Sequence, residues 1–184
     1  QIDKAAAPGR YGNTEYIQYL SLELSDNSPG GDRGSRILVA GWYGAENLGD
    51  ELMMQTMLSH LPERLYERTT VLLWDNLQYP FWKIDPRIKT IHYPNTLWDI
   101  QALSRMFDVL IWGGGALLDD MQYDTRASNF NTGNLFIRLS KRMLDLGKKV
   151  YCIGLSSNQE LEDPEYCREL QHVIDGAEHF SLRD

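Results

Sequence analysis

The chain is poor in the residues that build cross-linked or metal-dependent domains. Two cysteines in 184 residues cannot form a disulfide framework. Cys152 in a β-rich run and Cys167 on the apolar side of a helix-period run read as buried, reduced thiols of a cytosolic protein. The four histidines are dispersed at His60, His92, His172 and His179, without the Cys or carboxylate spacing of a metal set, and the reading is of no metal site. Positive charge is scarce too: 18 Lys and Arg stand against 26 Asp and Glu, a net charge of −8 with a pI near 5.0. That balance argues against a nucleic-acid or anionic-membrane surface, while leaving room for an anionic substrate held by a few local donors. No apolar run approaches the ~20 residues of a membrane span. No signal-peptide pattern opens the chain, so the expectation is a soluble, cytoplasmic protein. The first residue is Gln, which fits a processed or excised chain.

What is present is a hydrophobic share of 42%, enough for one substantial core. Residues 1–34 read as an extension ending in the linker composition Asn27-Ser28-Pro29-Gly30-Gly31-Asp32, with a weak strand pattern over Tyr16–Leu24. From residue 35 to residue 184, short β-rich runs alternate with helix-period runs. The predicted strands are 37–40, 70–73, 89–92, 109–112, 149–153 and 179–182. Most are continuously apolar, as strands covered on both faces are. Between them, Met53, Met54, Met57, Leu58 and Leu61 outline one helix, and Leu97, Ile100, Leu103 and Phe107 a second. Leu135, Phe136, Leu139, Met143 and Leu146 outline a third that stops at Gly147. Tyr166, Cys167, Leu170, Val173, Ile174 and Ala177 outline a fourth, opened by Asp163 as N-cap and Pro164 at its first position. The alternation predicts a Rossmann-like, doubly wound parallel α/β sheet.

Ligands of such sheets bind at the carboxyl ends of the strands, where two glycine-rich stretches fall. The first is Gly41-Trp42-Tyr43-Gly44-Ala45-Glu46-Asn47-Leu48-Gly49-Asp50-Glu51. Its glycine spacing is neither GxGxxG nor GxxxxGK[ST], and the phosphate-binding Lys is missing, so a standard dinucleotide or nucleoside-triphosphate loop is unsupported. Asp50 and Glu51 are open to two readings: functional carboxylates, or acids that cap a helix starting near Asp50 and complement its dipole. The second stretch is Gly113-Gly114-Gly115-Ala116-Leu117-Leu118-Asp119-Asp120, read as a loop leaving the 109–112 strand. It either exposes backbone amides to a ligand or permits close helix–sheet packing. The polar segment 122–133 is long enough to face a substrate. Aromatics at Trp74, Tyr79, Phe81 and Trp82 suit a buried cluster or a sugar-stacking surface.

Taken in order, these stretches resemble the polysaccharide pyruvyl transferase family. Its first loop reads roughly G-x-Y-G-x-x-N-x-G-D-E, matched by Tyr43, Gly44, Asn47, Gly49, Asp50 and Glu51. Its second reads roughly G-G-G-S-L-L-x-D, matched by Gly113, Gly114, Gly115, Leu117, Leu118 and Asp120. The Lys149-Val150-Tyr151 strand and the terminal Phe180-Ser181-Leu182-Arg183-Asp184 agree in place. Ala116 stands where Ser is common, and Ile153-Gly154-Leu155-Ser156-Ser157 lacks the usual Gln and Pro. The resemblance implies one half of a GT-B-like two-domain enzyme that moves a pyruvyl group from phosphoenolpyruvate onto a sugar of a cell-surface polysaccharide, or its precursor, as a ketal. It implies catalytic roles for Asp50 and Asp120. Substrate binding falls to Tyr43, Gly44, Asn47, Gly49, Glu51, Gly113, Gly114 and Gly115. Phosphoenolpyruvate is then the donor substrate, with no separate cofactor and no metal. The expected partners are a sugar or lipid-linked oligosaccharide acceptor and a C-terminal domain carrying most of the donor-binding His and Arg, near the inner face of the membrane. On this reading the fragment alone is inactive. Two alternatives are a GT-B glycosyltransferase using a nucleotide sugar and a non-catalytic sugar-binding domain.

Overall fold

The computed structural model describes residues 34–45, 47–74, 84–93, 97–120 and 132–183, the side chains of 97–99 and 132–133 excepted. The predicted strand over Tyr16–Leu24, the segment 122–133 up to residue 131, and Tyr79, Phe81 and Trp82 lie outside them. The elements run β1 (Ile37–Ala40), α1 (Leu48–His60), a 3-10 turn (Glu63–Arg68), β2 (Thr69–Leu73), β3 (Lys89–His92), α2 (Leu97–Met106), β4 (Val109–Leu118), α3 (Thr132–Asp145), β5 (Lys149–Ser157), α4 (Pro164–Gly176) and β6 (His179–Leu182). The six strands form one sheet in the order β3-β2-β1-β4-β5-β6, every neighbouring pair parallel. This is the Rossmann-like arrangement, and its order reverses beside β1, between β1 and β4.

The period-two geometry of a strand divides the apolar runs between two cores. Ile37, Val39, Val71, Val109, Ile111, Tyr151 and Ile153 face α1, packing on Met54, Met57, Leu58 and Leu61. Leu38, Ala40, Leu72, Leu110, Trp112, Val150 and Cys152 face the other side, where Ile100 and Leu103 of α2, Phe136 and Met143 of α3, and Leu170 and Val173 of α4 cover them. Near-continuous apolar strands are therefore required, because both faces are buried. One buried polar link crosses the second core: Trp112 Nε1 donates to Ser140 Oγ at 2.9 Å.

Helix ends follow local chemistry. Asp163 caps α4 by accepting from Tyr166 N, with Pro164 at the first helical position. After α3, Gly147 adopts φ +67; its N–H reaches Leu144 O at 2.8 Å while Lys148 N reaches Met143 O at 3.0 Å, a paired C-terminal closure.

Three expectations are corrected. The strand predicted at 109–112 continues to Leu118, and that predicted at 149–153 continues to Ser157. Gly114, Gly115 and Gly154 take positive φ values that resemble turn geometry. Here the strands keep pairing through them: Gly114 lies in the in-register run from Gly113 to Gly115, while Gly115 and Gly154 sit at register irregularities. The start of α1 is set by Asn47, whose side chain accepts from Gly49 N at 3.1 Å, so Asp50 is inside the first turn and is not the cap. Cys167 is exposed while Cys152 is buried. Positions 166, 170 and 173 carry the buried stripe of α4, and residue 167 is rotated about 100° away from 166 on the helix.

Candidate functional site

Three successive glycines of β4 meet three successive contacts from the segment that opens at Tyr43. A Cβ on Gly113 would lie 2.5 Å from Tyr43 Oη and 2.6 Å from Met57 Cε. One on Gly114 would lie 2.6 Å from Met53 Sδ, and one on Gly115 2.7 Å from Asp50 Oδ1. Asp50, Met53 and Met57 lie on one face of α1, three and four residues apart. The triplet thus lets the first turns of α1 lie directly on the sheet backbone. Its packing use is structural, and its effect is to set Asp50 against β4 at the carboxyl end of the sheet.

Asp50 is only 6% exposed and Glu51 is fully buried. Burial pushes the Asp50 carboxyl above the usual carboxylate range, and the Arg183 guanidinium pulls in the opposite direction. Arg183 follows β6, its N–H bonded to Leu155 O at 2.7 Å. Its guanidinium reaches Ser156 Oγ at 3.4 Å and Met53 Sδ at 3.7 Å. Residues 50, 115, 156 and 183 therefore meet on one rim, a buried acid beside an exposed cation.

Tyr43 and Gly44 brace this rim from below. The Tyr43 hydroxyl is buried and donates to Gly113 O, and burial raises its pKa well above the ordinary tyrosine value. Tyr43 O accepts from Trp74 N at 2.8 Å, while Gly44 turns the chain at φ 77. Tyr43→Phe leaves the buried Gly113 carbonyl without its side-chain donor, and a loss of about 1–2 kcal/mol is expected in urea unfolding. A wild-type midpoint for that variant would remove the bracing role.

Asp120 stands apart from Asp50 in its bonding. Its carboxylate accepts from Asp163 N at 2.8 Å, Glu162 N at 2.5 Å and Gln159 Nε2 at 3.1 Å. Those bonds, the Asp163 amide first, hold its pKa below the usual range. Next to it, Asp119 N donates to Tyr166 Oη at 3.2 Å. Asp120 is thereby tied to the segment that leads from β5 into α4. Asp120→Ala is expected to speed hydrogen exchange at the Glu162 and Asp163 amides and to lower the melting temperature; unchanged exchange there would remove the tether.

Of the residues singled out in the sequence, the structure brings Tyr43, Asp50 and Gly113–Gly115 into one assembly, with Gly44 turning the chain beside Tyr43 and Glu51 buried next to Asp50 in α1. It makes Asn47 and Gly49 the cap of α1, and it engages Asp120 with the β5–α4 connection. It adds Arg183 and Ser156, whose approach to the rim is a matter of strand order. The terminal Arg183 was legible as part of a pattern, but its partner across the sheet was not.

A doubly wound parallel sheet with a buried carboxyl and a cation at the carboxyl ends of its strands is a Rossmann-like α/β domain, the class of fold whose ligands bind at the topological switch point. Residues 47–184 match the polysaccharide pyruvyl transferase family, and the chain belongs to that family. No curated protein gives a significant match. Among the described residues, no helix is long and apolar enough to cross a membrane.

Proposed function

We propose that this domain binds the sugar acceptor of a pyruvyl transfer from phosphoenolpyruvate, with Asp50 as the general base. The observation that carries the assignment is the buried Asp50 carboxyl set against Gly115 at the switch-point rim, within the electrostatic reach of the Arg183 guanidinium. A carboxyl raised by burial is closer to the pKa at which proton transfer works near neutral pH. Family membership supplies pyruvyl transfer onto polysaccharide; the ketal chemistry and the donor are part of the proposal.

The reaction balances without a redox partner. Two sugar hydroxyls add to the central carbon of phosphoenolpyruvate, whose terminal methylene takes up one proton and becomes methyl. The bond from that carbon to the phosphate oxygen breaks, and the second hydroxyl proton leaves with phosphate. Asp50 accepts a hydroxyl proton as the new C–O bond forms. Arg183 stabilises negative charge at the same rim and favours the ionised form of Asp50 against the effect of burial. Asp120 positions the β5–α4 wall through its amide bonds, and Asn47 with Gly49 fixes the helix that presents Asp50. A second GT-B-like domain supplying the remaining phosphate contacts, and a lipid-linked acceptor at the inner membrane face, complete the proposed setting.

The test is to incubate the full-length protein with phosphoenolpyruvate and a panel of glycosides, and separately with nucleotide sugars. Phosphate release coupled to a carboxyethylidene-bearing product supports the assignment. Sugar transfer from a nucleotide donor, with no phosphate released from phosphoenolpyruvate, replaces it by glycosyl transfer.

A further inference from the structure

Three aromatic residues stand just past the carboxyl ends of three adjacent strands: Trp42 two residues after β1, Trp74 directly after β2 and Tyr93 directly after β3. Trp74 stacks on Tyr93 with ring centroids 4.7 Å apart and 14° between planes. Trp42 meets Trp74 at 4.9 Å and 53°. The Tyr93 hydroxyl donates to Gly41 O, which ties the end of β3 to the start of the Trp42 loop. Tyr93 is buried at 6% exposure, whereas Trp42 and Trp74 are only partly covered by the core beneath them. The rings stack into a short shelf whose base is the buried Tyr93 and whose outer ring is the half-buried Trp42. It flanks the switch point on the side opposite β4 and the Asp50–Arg183 pair.

Sealing the sheet end requires apolar area alone, and aliphatic side chains at these positions would supply it. A stack of rings whose outer member is left partly open is suited to a ligand with an apolar face. A pyranose has such a face, made of axial C–H groups, while its hydroxyls point around the ring edge. The Trp74 Nε1 donor beside it is shielded from solvent and has no acceptor among the described residues, an unmade bond that costs free energy until an acceptor is supplied. Donor phosphate and carboxylate groups, by contrast, gain nothing from ring faces whose quadrupole is negative.

Resting on the acceptor assignment above, we propose that Trp42, backed by Trp74, forms the acceptor subsite, stacking the C–H face of the pyranose that receives the pyruvyl group. Trp42 precedes the stretch matched to the family, which begins at residue 47. Trp42 stands at the end away from the buried Tyr93, and is therefore the position at which the subsite is tested.

The experiment uses full-length protein, phosphoenolpyruvate, and methyl β-D-glucopyranoside or methyl β-D-galactopyranoside as acceptors, with KM measured separately for each substrate. Trp42→Ala is expected to raise the glycoside KM roughly tenfold, the factor that about 1.4 kcal/mol of lost stacking gives, leaving the phosphoenolpyruvate KM unchanged. Trp42→Leu, which keeps apolar cover but removes the ring, should behave like the Ala variant, and Trp42→Phe should recover most of the loss. An unchanged glycoside KM in the Leu and Ala variants overturns the subsite, as does a rise confined to phosphoenolpyruvate. Saturation-transfer NMR with the same glycosides separates this outcome from failure of the pyruvyl-transfer assignment. Transfer from indole protons to pyranose C–H protons in the wild type, lost in Trp42→Leu, sustains the shelf even if no product forms. Absence of any transfer in the wild type removes it.

Discussion

Asp50→Asn is expected to lower kcat by a factor of about 10² to 10⁴, the range associated with loss of a positioned acid–base group, while the protein becomes more stable at neutral pH. Both effects have one cause. The folded protein buries the Asp50 carboxyl, which penalises its charged form and raises its pKa despite the opposing guanidinium of Arg183. A group with a raised folded pKa binds protons more tightly folded than unfolded. The wild type accordingly loses stability as pH rises through the unfolded value of about 3.9 toward the higher folded one. The neutral amide does not incur that loss. Below the unfolded pKa the two proteins should melt alike; above the folded pKa the Asn variant should melt higher. Thermal melts at pH 3.5 and pH 7.5, beside single-turnover rates, check the pair of effects. A variant that is less stable at pH 7.5 would show that the carboxylate is a net stabilising contact and would remove the physical basis for calling it a poised base. A variant with wild-type turnover would remove the base assignment itself.

The second large effect is expected at Gly115. Substitution by Ala places a Cβ at φ +91, a region that side chains rarely adopt, and 2.7 Å from Asp50 Oδ1. The backbone term costs about 1–3 kcal/mol, and overpacking adds a cost of similar size unless α1 moves outward. A fall in melting temperature of roughly 5–15 °C follows for a chain of this size. Because the nearest neighbour is the carboxyl, the displacement falls on Asp50. Turnover should drop even under conditions where the variant is fully folded. Gly113→Ala provides the comparison: its added carbon meets Tyr43 Oη and Met57, so it should destabilise by packing while disturbing Asp50 less. If both variants lose stability but keep kcat, the close approach of α1 to β4 is structural only.

Much of the fold could be read locally because its signals are local. A run such as Ile37–Ala40, apolar at every position, announces a strand with two covered faces. Asp163 followed by Pro164 announces the start of α4, and Gly147 the end of α3, since each acts on backbone groups within four residues. The glycine triplet misled for the same reason. Positive φ in Gly114 and Gly115 is what a turn would show, and only the pairing of Gly115 with Leu155 and Leu118 with Ser157 reveals a strand that passes through an irregularity. Cys167 was misplaced because a six-residue apolar list is wider than the face that α3 and the sheet can cover.

The site divides along the same line. The amino-acid sequence by itself placed the stretch from Gly41 to Glu51 directly after the first apolar run and the glycine triplet directly after the fourth, because those runs and glycines are local signals. It also determined the helix cap chemistry and the permissive glycines. Tertiary structure alone decided that Asp50 is buried and Asp120 is bound to backbone amides, although the two acids look alike in sequence. It alone decided that Arg183 reaches the rim 133 positions after Asp50, and that Tyr93 closes on Gly41 across 52 positions. Charge state, burial and hydrogen-bond partner are properties of pairs of residues. Pairs distant along the chain meet only after strand order and register have placed them.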